Sequence, residues 1–484
     1  MDDWRTEFYA RLPVYLQETA LSLYAGYLER LYYGPGYEDA LHQFTSLQAA
    51  SVDEAAKWQS DRLRELLRMA ATRVPYYREQ WRRVDWLSVH SAADLHLLPR
   101  LDKQSVRRHE GQFLVEGRNP QSLWLEKTSG TTGTALRIYW PKAMLPQWWA
   151  LVEVAIRRVA GVGQDIPRAM MGGRTIVRGA TTSPPYWRFN RRWRQLYLSS
   201  FHVSPTTAAA YIQALRDYGS QWITGYGSAV AALAQAGLDT GVAPLRLRAT
   251  IVSGDTLSAG MRRSMETFFA CPCYDSYGQC EAVCMAMECE YQRMHVIAGA
   301  GIVEVLRDDG SPCDPGEVGE IVATGLLNDA MPLIRYRMRD YAAWAEDQVC
   351  GCGNPQPILA HLEGRMDDYL VLRDGRRIGR LAAFKRSPTI HSAQLLQDAP
   401  DHAYLLVRPG AGYQRRDALA VCDDIRQKVG RFSLNVVEVP EIPKTARGKT
   451  ALVVRLSAQP EMQPIYESLL AGRAERIEEA AYQS

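Results

Sequence analysis

The segment Thr128-Ser129-Gly130-Thr131-Thr132-Gly133-Thr134 combines two glycines with five hydroxyl side chains directly after a predicted strand, Leu123 to Glu126. Hydroxyls and free amides hydrogen-bond phosphate oxygens, and glycine lets the backbone approach an anion closely. The Gly-Lys-Ser/Thr ending of a Walker loop is missing from the sequence, so no lysine supplies its charge here. The segment predicts a phosphate-binding loop, with a Ser/Thr/Gly-rich hairpin turn as the alternative.

Cys289, His295, Cys350 and Cys352 have the composition of a metal site. Three thiolates and an imidazole suit tetrahedral Zn²⁺, and a Cys-x-Cys-Gly turn can present two sulfurs to one ion. The first pair follows Glu281 to Met287, which we expect to be helical. Four protein ligands leave no open coordination position, so we predict a structural zinc ion. Reduced, buried cysteines without a metal are the alternative.

Further charged and aromatic residues lie in four later segments. Tyr274 to Glu281 closes a predicted strand, and ligands bind at the strand ends of parallel sheets. Asp340 follows the basic run that begins at Arg335, while Gly364 to Asp368 and Pro443 to Lys449 lie nearer the carboxyl end. Each segment alone is explained by a turn, a surface ion pair or a solvated loop, but their combination in this order is hard to obtain by chance.

In this order the segments resemble the motifs of the acyl-adenylate-forming superfamily, and in particular its phenylacetate–CoA ligase and CapK-like branch. Thr128 to Thr134 resembles the phosphate-binding signature, and Tyr277-Gly278-Gln279-Cys280-Glu281 resembles Tyr-Gly-x-Thr/Ser-Glu. Asp340 ends a version of Tyr-Arg-x-Gly-Asp. The resemblance covers the chain from about residue 60 to 455 and includes the segments 71–77 and 98–103.

The resemblance implies AMP-forming activation of a carboxylic acid, expected to be aromatic, followed by acyl transfer, expected to be to CoA. ATP, Mg²⁺ and structural Zn²⁺ are the implied cofactors. The residues implied to act in catalysis are Lys449, Glu281 and Thr132. The residues implied to bind the nucleotide are Thr128, Ser129, Gly130, Thr131, Gly133, Asp275, Tyr277, Gly278, Asp340 and Arg365. Asp367 is implied to be the hinge, and the implied acid pocket contains Phe201, His202, Tyr226 and Gly227.

Each implied role suits its side chain. Glu281 would bind Mg²⁺, a hard cation that prefers carboxylate oxygen. Tyr277 would lie against adenine, and Asp275 would accept a hydrogen bond from the adenine amino group. Asp340 would take both ribose hydroxyls, since a carboxylate offers two acceptor oxygens. Lys449 would reach the acyl carboxylate and the α-phosphate as a mobile charge.

The sequence departs from the family pattern at three places. One is Ala135-Leu136, which lacks the lysine that follows the phosphate loop in much of the superfamily, although the phenylacetate branch often lacks it too. Cys280 replaces a Thr or Ser hydroxyl, and Arg339 stands where many relatives have Gly. These departures bear on rate and substrate rather than on the type of reaction. Two other functions stay open. One is transfer to an amine, a hydroxyl or a carrier-protein thiol in secondary-metabolite or polysaccharide biosynthesis. The other is a non-catalytic, zinc-containing binding protein that uses the basic run Arg188 to Arg194, a run that is more often a solvated surface.

The predicted fold class is α/β, with a large N-terminal α/β domain of the adenylate-forming type and a small mobile C-terminal α+β domain. Helical and short apolar segments alternate between residues 200 and 280, which favours parallel strands. The predicted helices are 61–73 (with Ser60 as N-cap), 206–218, 228–236 and 258–270, and the predicted strands are 221–224 and 249–252. Beyond residue 295 strands dominate, and we expect a hairpin over 369–378. The predicted domains are 1–364, with a helical segment over 1–60, and 365–484.

Composition and charge limit the classes of partner that we expect. The chain has 484 residues, and its net charge of +3 gives no general reason to bind nucleic acid. No apolar run approaches the ~18–20 residues of a membrane span, and the amino terminus lacks the pattern of a signal peptide. We therefore expect a cytoplasmic protein, monomeric or homodimeric, whose partners are a small carboxylic acid and CoA or another small nucleophile.

Overall fold

The computed structural model describes residues 8–9, 11–128, 136–178, 181–255, 257–365, 369–373, 377–378, 381, 384, 387–429, 432–444 and 450–471. Contacts divide the chain into two compact units. The first contains Met1–Arg168, Arg188–Leu196 and Tyr274–Leu362, and the second contains Ala169–Trp187, Tyr197–Cys273 and Glu363–Ser484. Ser129 to Gly133, Asp367 and Lys449 lie outside the described residues, so their predicted roles stay predictions.

The first unit begins with helices and continues as an antiparallel sheet. Its helices are α1 (Val14–Tyr32), α2 (Tyr37–Ala49), α3 (Val52–Arg73), α4 (Pro75–Gln80), α5 (Lys103–Arg108) and α6 (Met144–Val152), and a π-helical segment follows at Glu153–Arg158. Its strands are β1 (Trp124–Lys127), β2 (Arg137–Trp140), β4 (Trp187–Asn190), β8 (Cys273–Gly278), β9 (Met285–Glu288), β10 (Met294–Val296), β11 (Gly301–Leu306), β12 (Val318–Gly325), β13 (Tyr336–Trp344) and β14 (Ile358–Arg365). Strand β5 (Gln195–Ser199) is shared by the two units.

The main sheet of the first unit has the order β11-β12-β13-β14-β10-β9-β8. Strands β8, β9 and β10 pair as an antiparallel meander, and β10 pairs with β14. Alternating side chains of these strands form a buried cluster that includes Val296, Ile321 and Leu359. The sheet thus holds the predicted segments around Tyr277, Asp340 and Cys289 on a packed framework.

The second unit confirms the parallel α/β prediction. Its helices are α7 (Pro205–Asp217), α8 (Gly227–Asp239), α9 (Ala259–Phe269), α10 (Arg415–Val429) and α11 (Gln463–Ala471). Strands β6 (Trp222–Gly225) and β7 (Ala249–Ser253) pair in parallel, and β3 (Arg168–Gly172) is the other neighbour of β6. Its remaining strands are β15 (Leu370–Val371), β16 (Arg377–Ile378), β17 (Ile390–Ala399), β18 (His402–Pro409), β19 (Ser433–Glu438) and β20 (Val453–Arg455).

A four-stranded sheet of order β19-β18-β17-β20 forms the carboxyl-terminal part of this unit. Strands β17 and β18 are antiparallel, while β19 and β20 each pair in parallel with a neighbour. The expected hairpin over 369–378 is the antiparallel pair β15–β16. The domain division at residue 364 stays a prediction.

Two local predictions are wrong. Helix α3 begins at Val52 rather than after Ser60, because Ser51 and Glu54 form a reciprocal capping box and satisfy the first free amides. The Ser60 hydroxyl instead donates to the Ala56 carbonyl within the helix. The segment expected to be helical after Glu281 ends in strand β9, which pairs with β8. Among the described residues, no helix is long and apolar enough to cross a membrane.

Candidate nucleotide and metal sites

The hairpin β1–β2 carries the base of the predicted phosphate loop. Thr128 is buried, and its amide donates to the Leu136 carbonyl at 2.9 Å. Its hydroxyl oxygen accepts a hydrogen bond from the Leu136 amide, also at 2.9 Å. These two bonds join Thr128, which follows β1, to Leu136, which precedes β2. The hydroxyl predicted to bind phosphate thus has a structural partner, and its role as a phosphate ligand stays a prediction.

Strand β8 contains two of the predicted nucleotide-binding residues, Asp275 and Tyr277. The Asp275 amide donates to Glu288 Oε2 at 2.8 Å, which ties β8 to the end of β9. The Tyr277 hydroxyl donates to Asp340 Oδ2 at 2.7 Å, although the two residues are 63 positions apart. The residues predicted to contact adenine and ribose are therefore direct neighbours.

A bulge in β13 contains Asp340. Val322 lies opposite Arg337 and Glu320 lies opposite Tyr341. The two paired positions are thus four residues apart on β13 but only two residues apart on β12. A bulge of this kind interrupts the alternation of side chains and re-aims them. Arg339 has a φ of +60°, a left-handed conformation that costs an ordinary residue roughly 1–2 kcal/mol. This explains physically why glycine suits the position in related sequences.

Glu281 lies in a nearly closed environment with one cation beside it. Its side chain is 8 % exposed, and Oε1 lies 3.4 Å from Lys103 Nζ. The Tyr336 hydroxyl donates to the same oxygen at 3.1 Å, and Cys280 Sγ lies 3.6 Å from Oε2. Burial and the Glu281 charge raise the pKa of Tyr336, while burial and then Glu281 raise the pKa of Cys280 to about 12. Both groups are neutral donors toward the carboxylate at pH 7.

The segment 98–103 presents Lys103 to this carboxylate. The Leu101 amide donates to the Arg335 carbonyl, and the Arg337 amide donates to the Leu101 carbonyl, so the segment runs beside β13. The Arg335 guanidinium is buried and pairs with Glu304, with Nη2 2.8 Å from Oε1. Lys103 then begins helix α5 directly after its N-cap.

Sequence reasoning missed Lys103 and Tyr336 as neighbours of Glu281. The only signal in the sequence was the similarity of the segment 98–103 to the phenylacetate–CoA ligase branch, which indicates no partner. Lys103 and Glu281 are separated by 178 positions. Their proximity depends on the tertiary path of the chain and not on local spacing.

The four predicted zinc ligands converge. Their ligating atoms all lie within 4.8 Å of one another, with Cys289 Sγ 3.6 Å from Cys350 Sγ and Cys352 Sγ 3.4 Å from His295 Nε2. A tetrahedral ion with Zn–S bonds of about 2.3 Å and a Zn–N bond of about 2.0 Å requires ligand separations of this size. All nine cysteines are free thiols.

Neighbouring groups orient these ligands. His295 Nδ1 lies 3.1 Å from the Gln356 carbonyl, which assigns the proton to Nδ1 and leaves Nε2 for a metal. The Asn354 amide donates to Cys352 Sγ at 3.4 Å. Burial lowers the pKa of His295 and favours its neutral form. The donor set fits Zn²⁺ in composition, separation and tautomer.

The residues predicted to line the acid pocket lie in the second unit. Phe201 is 41 % exposed, whereas His202 stacks on Tyr186 with ring centroids 5.2 Å apart. His202 Nδ1 lies 2.8 Å from Ser199 Oγ, and its buried Nε2 has no hydrogen-bond partner within the described parts of the chain. Tyr226 precedes helix α8, and the helix begins at Gly227.

The Gly227 amide is already bonded inside the second unit, because it donates to Asp255 Oδ1 at 2.7 Å. The Tyr226 amide likewise donates to the Met171 carbonyl at 2.9 Å. Both backbones are therefore fixed by neighbouring strands and loops. The acid-pocket assignment of these residues stays a prediction.

The basic run Arg188 to Arg194 is largely engaged with helix α1. Arg188 is buried and donates to Gln17, and Arg192 pairs with Glu29. The Arg191 amide donates to Ser22 of the same helix. These contacts neutralise part of the charge and explain the run by packing within the first unit.

No protein-family model matches the chain. Curated proteins that it matches include CapK of Staphylococcus aureus, 23% identical over 288 residues that cover 59% of this chain and 62% of that protein. The phenylacetate–coenzyme A ligase of Escherichia coli K12 is 25% identical over 68% of this chain and 75% of its own length. The Pseudomonas putida phenylacetate–coenzyme A ligase is 26% identical over 68% of this chain and 74% of its own length. The match thus spans less than two thirds of CapK and about three quarters of the two ligases.

Solved structures show the same fold. A 2-hydroxyisobutyryl-CoA ligase in the postadenylation state, in complex with R3-HIB-AMP, superposes with a TM-score of 0.62 at 17% identity, covering 88% of this chain and 94% of that chain. An open conformation of the same ligase gives a TM-score of 0.53 over 84% of this chain and 93% of that chain, also at 17% identity. These similarities in sequence and fold confirm the resemblance of the chain to the acyl-adenylate-forming superfamily and to its phenylacetate–CoA ligase and CapK branch.

Proposed function

We propose that the protein activates a carboxylic acid, expected to be aromatic, as an acyl-adenylate and then transfers the acyl group to CoA. In the first step a carboxylate oxygen attacks the α-phosphorus of ATP, and the bond to pyrophosphate breaks. In the second step the thiol sulfur attacks the acyl carbon, the bond to AMP breaks, and the thiol proton is released. The observation that supports the proposal is a pair of contacts to strand β13. Asp340 of this strand accepts from the Tyr277 hydroxyl, and the hydroxyl of Tyr336, in the same strand, donates to Glu281.

Glu281 is the proposed ligand for Mg²⁺. Magnesium is usually held by one or two carboxylates together with phosphate oxygens and waters, not by a complete protein cage. Within the described residues Glu281 belongs to no cluster of three metal-binding side chains, which fits that mode. A bound Mg²⁺ ion supplies positive charge to the phosphates. Lys103 lies 3.4 Å from the same carboxylate and can neutralise the negative charge of Glu281 before the nucleotide binds.

Cys289, His295, Cys350 and Cys352 are the proposed ligands of a structural zinc ion. The proposal is supported by the separations of their ligating atoms and by the His295–Gln356 contact. Four protein ligands leave no position for substrate, so the ion contributes to folding rather than to chemistry. An ion held by Cys289, by His295 of β10 and by the loop before β14 would stabilise the β8–β9–β10 meander, whose first strand contains Tyr277.

Pyrophosphate exchange tests the function directly. The wild-type protein with MgATP is expected to incorporate labelled pyrophosphate into ATP in the presence of one or more acids from a panel of benzoic, arylacetic and aliphatic acids. Addition of CoA is then expected to yield the acyl-CoA of the active acid. If exchange is observed but the acyl group is transferred only to an amine, a hydroxyl or a carrier protein, the acceptor is that group and not CoA. A silent panel with folded protein would favour the binding-protein alternative.

Lys449 is proposed to act in the first step alone, because its mobile charge would neutralise the acyl carboxylate and the α-phosphate as they approach. Lys449→Ala is expected to slow adenylation by roughly 100-fold or more. Transfer from a supplied acyl-AMP to CoA is expected to stay near the wild-type rate, and rapid-quench assays of each half-reaction measure this difference.

Lys444→Ala is the matched control, because this lysine lies in the same segment and pairs with Glu441 at 2.9 Å. It is expected to leave both half-reactions near the wild-type rate. An equal loss of both half-reactions in Lys449→Ala would refute the assigned role of Lys449.

A further inference from the structure

The Tyr277 hydroxyl has a partner that the family roles do not assign. Those roles place the ring of Tyr277 against adenine and the carboxylate of Asp340 on the ribose. In the structure the hydroxyl donates to Asp340 Oδ2 at 2.7 Å, which joins the two sites directly. A hydrogen bond to a charged acceptor is roughly twice as strong as one between neutral groups. The bond therefore restrains the carboxylate against rotation.

The strand pairing around Asp340 is irregular. The β13 bulge between Arg337 and Tyr341 takes Asp340 out of the regular ladder with β12. Arg337 holds the near side of the bulge through an ion pair with Glu320, whose Oε2 lies 2.7 Å from Nη2. The pairing of β13 with β12 is thus interrupted between Arg337 and Tyr341, where Asp340 lies, and the contact from β8 supplies a fixed point for its side chain.

We propose that the Tyr277 hydroxyl is a positioning group for ribose recognition. By occupying Oδ2 it directs Oδ1 of Asp340 toward the sugar hydroxyls, so that the carboxylate is arranged before the nucleotide binds. The inference rests on the proposed function, which places the ribose at Asp340. Tyr277 thus has two separable parts: its ring contributes to adenine binding, and its hydroxyl contributes to selection of ribose over deoxyribose.

Titration calorimetry with ATP and with 2′,3′-dideoxy-ATP tests this division without requiring the identity of the acid. Tyr277→Phe keeps the ring and removes the hydroxyl. The variant is expected to bind ATP roughly tenfold more weakly, the fold-change that ~1.4 kcal/mol produces. Its dissociation constant for dideoxy-ATP is expected to stay within about twofold of wild type, because that nucleotide has no ribose hydroxyl for Asp340 to accept from.

A double-mutant cycle supplies the second measurement. In an Asp340→Ala background the Tyr277→Phe change is expected to alter ATP affinity by less than about twofold, since the group that it positions is gone. Tyr274→Phe, which removes a hydroxyl from the same strand, is expected to preserve the wild-type preference for ATP over dideoxy-ATP. Thermal unfolding of each variant reports whether the fold is retained.

The outcomes separate the two hypotheses. If the wild-type protein binds no ATP, the proposed function fails and the inference fails with it. If the wild type binds ATP but Tyr277→Phe weakens ATP and dideoxy-ATP equally, the hydroxyl acts through the fold or the ring and the inference alone is overturned. An unchanged ATP affinity in Tyr277→Phe, or additive effects in the cycle, would overturn it as well.

Discussion

Glu281→Gln is expected to lower the rate of ATP–pyrophosphate exchange by roughly 100- to 1,000-fold, the range seen when one group that stabilises developing charge is removed. Glutamine preserves the size of the side chain and can still accept from the Tyr336 hydroxyl, which lies 3.1 Å from Oε1. It removes the negative charge that would hold Mg²⁺ against the phosphates. The loss should therefore appear in the chemical step and in the dependence on Mg²⁺, not in the folding of the protein.

Nucleotide binding with and without metal isolates this effect. Wild-type protein is expected to bind ATP more tightly with Mg²⁺ than with a chelator, and Glu281→Gln is expected to lose that increment. Glu79→Gln is the matched control, because Glu79 is an exposed partner of Arg82 in the same unit and is expected to leave both quantities unchanged. A Glu281→Gln protein with wild-type exchange at saturating Mg²⁺ would exclude Glu281 as the metal ligand.

The elements that could be predicted from the sequence are those whose patterns are local. The β6–α8–β7 unit follows from short apolar runs separated by a helix-length segment, and the structure pairs Trp222 with Ala249 in parallel as that pattern requires. Helix α3 was predicted nine residues too short at its start (61 − 52), because the sequence Ser51-Val-Asp-Glu54 carries a capping box but little apolar periodicity. Periodicity locates the buried face of a helix, whereas capping determines where the helix begins.

The contacts within the candidate site could be predicted only in part. The motif residues identify Tyr277 and Asp340, but they do not indicate the bulge in β13 around Asp340 or the positive φ of +60° at Arg339. The Thr128 hydroxyl accepts from the Leu136 amide, a contact that the loop motif does not indicate, and its role toward phosphate stays a prediction. Residue type determines which hydrogen bonds are possible, and only the tertiary path determines which of them form.

The Cys/His cluster was predictable because this combination of side chains is unusual. Three cysteines and one histidine can serve one tetrahedral ion, and the turn at Gly353, where φ is +76°, allows the Cys350–Cys352 segment to reverse. The antiparallel pairing of His295 with Ile358 then brings the two halves together. Metal binding at the proposed zinc site would therefore be coupled to folding of the meander.

Removing two ligands at once is therefore expected to remove the ion and to destabilise the first unit. Purified wild-type protein should contain about one zinc ion per chain by elemental analysis, and Cys350→Ser/Cys352→Ser should contain almost none. Occupancy at ~1,000 times the dissociation constant contributes about 4 kcal/mol, which corresponds to a fall in Tm of roughly 8–16 °C for a unit of this size. Scanning calorimetry measures the fall, and a strong chelator should reproduce it in the wild type.

Cys271→Ser/Cys273→Ser provides the matched control, since it also changes a buried Cys-x-Cys pair but one that lies outside the cluster. This variant is expected to keep its zinc. It therefore separates the effect of placing serine in the core from the effect of losing a zinc ligand. Wild-type protein that holds no zinc, and whose Tm matches that of the Cys350→Ser/Cys352→Ser variant, would show that the cluster is a set of buried thiols. The sulfur separations would then reflect packing around Ala345 and Ile358 and not the radius of a metal ion.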